Sequence, residues 1–99
     1  MSANINELLK YAVEAKASDL HLSSGSIPMV RIDGVMQTLQ LPVMTDENML
    51  NISKEVLNSN QSKILSDQLE IDFSYELESF GRFRVNFFNQ INGLAAAFR

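Results

Sequence analysis

The chain contains no cysteine, a single histidine, two prolines and four glycines. Without cysteine there is no disulfide framework, no thiolate metal site and no thiol nucleophile. One histidine leaves a metal site short of ligands, and it has no evident serine and acid partners for a hydrolytic triad. Gly25, Gly34, Gly81 and Gly93 stand singly, at predicted turns or strand starts. The chain therefore lacks the G-x-x-x-x-G-K-[ST] loop that wraps phosphates in backbone N–H groups, and the G-x-G-x-x-G turn that receives a dinucleotide. No apolar run approaches the roughly 20 residues needed to span a bilayer. Residues 1–10 are interrupted by polar side chains and lack the charged-then-apolar order of a signal peptide. A cytoplasmic address fits these absences.

Ninety-nine residues suit one domain with a single modest core. A hydrophobic fraction of 45% with 20% charged residues is ordinary for a globular chain and argues against disorder. The net charge of −4 argues against broad binding to nucleic acid or anionic membrane. That charge is unevenly spread. All twelve acids precede Ser79, whereas residues 79–99 carry three arginines, Arg82, Arg84 and Arg99, and no acid. A small basic end on an acidic body suits local binding of one polyanion, such as a nucleotide phosphate, or simply a solvated strand face.

Asn4 followed by Glu7 resembles a capping box, and Ile5, Leu8, Leu9, Ala12 and Val13 recur at helical spacing, predicting a helix over 5–16. Residues 19–23 alternate, with Leu20 and Leu22 on one face and His21 on the other. A loop through Ser24-Gly25-Ser26 and Pro28 leads to a strand over 29–32, an Asp33-Gly34 turn and a returning strand over 35–39. Thr45 is placed to cap a helix with Met49, Ile52, Val56 and Leu57 as its apolar stripe. Asn60 is read as the cap of a short third helix ending near Leu69. Residues 70–77 then set Ile71, Phe73, Tyr75 and Leu77 against Asp72, Ser74 and Glu76. From Gly81 the next strand sets Phe83, Val85 and Phe87 against Arg82, Arg84, Asn86 and Phe88. Asn92-Gly93 signals a hairpin into a last strand over 94–99. Helix, three strands, two helices and three strands, with helices on one face of a mainly antiparallel sheet, is an α+β arrangement. Arg99 closes a strand with no polar tail after it, which reads as a cut within a longer chain at least as well as a natural end.

Few side chains carry chemistry. Asp19 lies two residues from His21 on the same strand face and is placed to hydrogen-bond it, a structural role. Asp72 and Glu76 alternate along a strand, which describes a solvated face better than a glycosidase carboxylate pair. Arg82 and Arg84 project from one side of the sheet, and like charges that close need an anion nearby. Asp72 or Glu76 would supply it within the domain. A phosphate chain would also supply it, because guanidinium forks match phosphate oxygens. Composition leaves both readings open.

Three runs, Ala17-Ser18-Asp19-Leu20-His21-Leu22, Arg31-Ile32-Asp33-Gly34 and Gly81-Arg82-Phe83-Arg84-Val85-Asn86, together with Asp72-Phe73-Ser74, resemble the N-terminal domain of PilT-like twitching-motility ATPases. The resemblance covers nearly the whole chain, and the last long run favours the retraction branch of the wider secretion-ATPase superfamily. It implies a PAS-like domain that precedes a RecA-like ATPase domain, with nucleotide between the two. It also implies a homohexamer on the cytoplasmic side of the inner membrane, working with the pilus inner-membrane platform. Carried over by position, Arg82 and Arg84, and more weakly Arg99, would contact phosphates of ATP with Mg2+ in the full-length ring. These residues alone, lacking the phosphate loop, are expected not to hydrolyse ATP and to hold no cofactor. One proline in Ser26-Ile27-Pro28 and an apolar Ile91 depart from the pattern without touching the arginines. The competing expectations are a pilus-extension or type II secretion ATPase domain, a stand-alone PAS-like sensor or adaptor, and a ring-assembly module.

Overall fold

The computed structural model describes residues 4–99. In chain order the elements are α1 (Ile5–Glu14), β1 (Asp19–Ser23), β2 (Met29–Ile32), β3 (Val35–Thr38), α2 (Asp46–Val56), α3 (Ser59–Gln68), β4 (Glu70–Leu77), β5 (Gly81–Gln90) and β6 (Gly93–Phe98). The strands form one sheet in the order β3-β2-β1-β6-β5-β4, with every neighbouring pair antiparallel. This is the expected α+β class. None of the described helices is long and apolar enough to cross a membrane.

Local chemistry explains most boundaries. The Asn4 side chain accepts from the backbone N–H of Asn6 at 2.9 Å and of Glu7 at 3.2 Å. Those are donors that the first helical turn leaves free. α1 stops two residues short of the expected end. Lys16 takes a left-handed φ of 59°, and the Ala17 N–H folds back onto the Ala12 carbonyl at 2.9 Å. α2 starts on a complete capping box, in which Thr45 and Asn48 exchange bonds of 3.0 Å each. The cap of α3 is Asn58, not Asn60. Asn58 accepts from Gln61 N–H at 2.8 Å, and the Gln61 side chain returns to Asn58 N–H at 3.0 Å.

Turn chemistry sets the hairpins. Asp33 and Gly34 both adopt positive φ, 51° and 80°, as a two-residue turn matched to strand twist requires. The Asn92-Gly93 hairpin forms, but Ile91 and Asn92 are the two residues between paired Gln90 and Gly93. Gly93 itself opens β6 at φ 122°, and a Cβ there would lie 2.8 Å from Asp46 Oδ1 and 2.9 Å from Ser24 Oγ.

All three helices cover one sheet face. Leu20, Leu22, Val30, Ile71, Phe83, Val85, Phe87, Ala96 and Phe98 meet Ile5, Leu8 and Leu9 of α1, Met49, Ile52 and Val56 of α2, and Leu65 of α3 in one buried cluster. Phe87 is its centre, stacked with Phe73 at 6.2 Å between centroids and edge-on to Phe98 at 6.1 Å. The Tyr75 hydroxyl donates to Asn6 Oδ1 at 3.0 Å, tying β4 to α1. Among the described residues the opposite face carries no helix. On it Ala95 and Ala97 are nonetheless buried, because their methyl groups sit between the longer side chains of neighbouring strands.

Candidate phosphate-binding face

β5 places Arg82, Arg84, Asn86 and Phe88 on the face without helices, as strand alternation demands once Phe83, Val85 and Phe87 are committed to the core. Both arginine side chains are exposed, 71% for Arg82 and 72% for Arg84. The β4–β5 register brings acids to them, with Glu76 directly opposite Arg82 and Asp72 diagonal to Arg84. Arg84 donates from Nε to Asp72 Oδ1 at 3.3 Å and from Nη2 to Asp72 Oδ2 at 3.1 Å. The pair is a bidentate fork. Arg82 makes one long contact, Nη2 to Glu76 Oε1 at 3.5 Å. The domain's own carboxylates thus already face both arginines, the first of the two arrangements that composition left open.

Arg99 completes the cluster from the end of β6. Its N–H donates to the Arg84 carbonyl at 2.8 Å, and the Arg84 N–H donates to the Arg99 carbonyl at 3.1 Å. Reciprocal bonds of this kind define directly opposed residues whose side chains rise from the same face. Arg99 is exposed and forms no salt bridge among the described residues. Asp72 therefore serves two cations, which leaves one positive charge without a carboxylate. The Arg84 hydrogen bond is the main reason the Asp72 carboxyl is held below its usual range. Partial desolvation opposes the effect, and the fields of Arg84 and Arg99 add to it. The same bond raises the Arg84 pKa. Asn86 continues the row, donating to Glu70 Oε1 and to the Ile71 carbonyl at 3.3 Å each.

A second polar cluster lies across β6. His21 Nε2 is 3.1 Å from Asp19 Oδ2, and Arg31 Nε is 3.5 Å from the same oxygen. Arg31 also donates from Nη1 to the Gly34 carbonyl at 3.1 Å, which locks it to the β2–β3 turn. Burial pushes the Asp19 carboxyl up. Hydrogen bonds from Ser18 and His21 and the charges of His21 and Arg31 outweigh it, so the net shift is downward. His21 is thus tied into a structural network, as its spacing from Asp19 indicates. Spacing along the chain does not bring Arg31 to this cluster. The hairpin register does, by setting Arg31 opposite Asp19.

No family model matches the chain. Two relatives do. The chain is 42% identical over 96 residues to the type IV pilus retraction ATPase PilT of Pseudomonas aeruginosa, covering 97% of this chain and 28% of that protein. The chain is homologous to the N-terminal part of PilT. A twitching motility protein of Neisseria gonorrhoeae is 47% identical over 72 residues, covering 73% of this chain and 19% of the relative. A crystal structure of the pilus retraction motor PilT with bound ADP superposes with a TM-score of 0.90 at 36% identity, covering 99% of this chain and 29% of that one. The chain spans under a third of the length of each of these relatives.

Proposed function

We propose that this chain acts as the PAS-like N-terminal domain of a type IV pilus retraction motor, presenting Arg82, Arg84 and Arg99 to the phosphates of ATP held by a RecA-like domain that follows it. The observation that carries the reading is the side-by-side pair Arg84 and Arg99, sharing one carboxylate on the face that no helix covers. The PilT whose fold it shares holds ADP. The donor set fits phosphate: guanidinium forks, solvent access and a local excess of positive charge. It does not fit a metal. Asp72 and Glu76 are engaged by arginines, and the described residues hold no group of three metal-ligating side chains. In this reading Mg2+ arrives with the nucleotide on the partner domain.

An arginine delivered across an interface stabilises charge spreading over a transferring phosphoryl group, an effect of about 10³ to 10⁵ in rate in GTPases. The same face would pack in a homohexamer, where heterologous contacts between identical subunits close a ring. Such a ring would sit on the cytoplasmic side of the inner membrane against the pilus platform machinery.

The test is Mg2+-dependent ATP hydrolysis by a full-length protein bearing this domain. Replacing Arg82, Arg84 or Arg99 with alanine is expected to lower turnover or nucleotide affinity while leaving the domain's melting unchanged. Wild-type kinetics in all three variants would remove the arginines from the site. The 99-residue chain alone is expected to show no turnover.

A further inference from the structure

The Arg84 guanidinium offers two edges, and one of them is filled. Its Nε–Nη2 edge holds both oxygens of Asp72, at 3.3 and 3.1 Å. That parallel two-bond fork is the arrangement a guanidinium also uses to grip two phosphate oxygens. A phosphate taking this edge must therefore displace the carboxylate. Arg82 meets no comparable obstacle, because Glu76 reaches it through one contact at 3.5 Å. Asp72 also lies within the field of Arg99, so one acid quiets the two most closely placed cations of the face.

We propose that Asp72 is a further residue of this site, an internal competitor that occupies the phosphate-gripping edge of Arg84 and sets how tightly a polyphosphate binds. The inference rests on the phosphate reading given above. Exposure makes the exchange feasible. The Arg84 side chain is 72% exposed and that of Asp72 47%. Water therefore screens their attraction, and the pair opens readily. A polyphosphate carries several charges against the carboxylate's one and engages Arg84 and Arg99 together, whereas Asp72 hydrogen-bonds only Arg84. Removing the carboxylate leaves the edge open, and affinity rises. Asp72 holds Arg84 in place between binding events and yields it to a stronger anion.

The experiment titrates the 99-residue chain with inorganic tripolyphosphate at low salt, following backbone amide shifts of β5 and β6 by NMR. Asp72→Asn is expected to tighten binding about two- to fivefold, the factor an exposed ion pair controls. Asp72→Ser provides a second variant with the same expected direction, and thermal melting checks that each variant folds. Glu76→Gln is expected to change affinity less than Asp72→Asn. Arg84→Ala weakens binding, and in that background Asp72→Asn brings a smaller gain, the part that Asp72 exerts on Arg99. The proposal is overturned if Asp72→Asn leaves affinity unchanged or weakens it. It is equally overturned if the gain survives undiminished in the Arg84→Ala background, since general charge removal then explains it. A wild-type affinity indifferent to Arg84→Ala is a separate result, which sinks the phosphate reading and this inference with it.

Discussion

Arg84 and Arg99 exchange both of their backbone hydrogen bonds, so two like charges are fixed next to each other by the register of β5 and β6. Asp72, bonded to Arg84 and within the field of Arg99, offsets part of their repulsion. Because the Arg84 hydrogen bond contributes more to lowering the Asp72 pKa than the charge of Arg99, the two arginines are distinguishable by titration. Following the Asp72 carboxyl by NMR, Arg84→Ala is expected to move its pKa up toward the ordinary aspartate range. Arg99→Ala is expected to move it in the same direction by less. Equal shifts would mean that the fork at 3.1 and 3.3 Å does not persist in solution.

Gly93 is held by two constraints at once, a φ of 122° and a neighbouring carboxylate and hydroxyl where a Cβ would lie. Gly93→Ala is therefore expected to destabilise the domain by about 1–3 kcal/mol in urea unfolding. Gly25 has a less extreme positive φ of 84° and open space around its missing Cβ. Gly25→Ala should cost less, and the reverse order would show that crowding at Gly93 relaxes freely.

The α3 cap gives a sharp contrast between two asparagines two positions apart. Asn58→Ala removes the side-chain half of the capping box with Gln61 and is expected to cost about 1 kcal/mol. Asn60 lies inside the helix and is exposed, so Asn60→Ala should be neutral or slightly stabilising on propensity grounds. Chemical denaturation of the two variants checks this.

Acid should weaken the domain through Asp19 and Asp72. Both carboxyls titrate lower in the folded state than the ordinary value of 3.8, so the unfolded chain binds protons first as pH falls. Their stabilisation is present above the unfolded pKa and is lost on passing down through the depressed folded values, from about pH 5 downward. Asp19→Asn is expected to flatten the acid limb of a melting-temperature profile, with little effect on its shape near neutrality. An unchanged acid limb would show that the Asp19, His21 and Arg31 network is not coupled to folding.

Strands are the most legible part of the chain. In 19–23, 29–32 and 70–77 a two-residue period fixes both the face and the ends, and the observed bounds are the same. The alternation on β5 also suffices to put Arg82 and Arg84 on one side. Caps are harder. Asn58 and Asn60 both suit an N-cap, and only the Gln61 three positions after Asn58 distinguishes them. The partners of the arginines depend on which residues stand diagonally across β4 and β5. Choosing Asp72 for Arg84 needs the pairing of Ser74 with Arg84 to be known. The Arg84–Arg99 neighbourhood likewise comes from strand pairing and is invisible to spacing along the chain.

The order β3-β2-β1-β6-β5-β4 has β6 as the bridge between two meanders, β1 to β3 and β4 with β5. On a ribosome, each meander emerges before the segment that joins them. Until residues 93–98 clear the exit tunnel, β1 and β5 both present unpaired backbone edges, and α1 has no finished floor to rest on. Closing the sheet therefore waits on β6, whose pairing with β1 joins residues farther apart along the chain than any other strand pair.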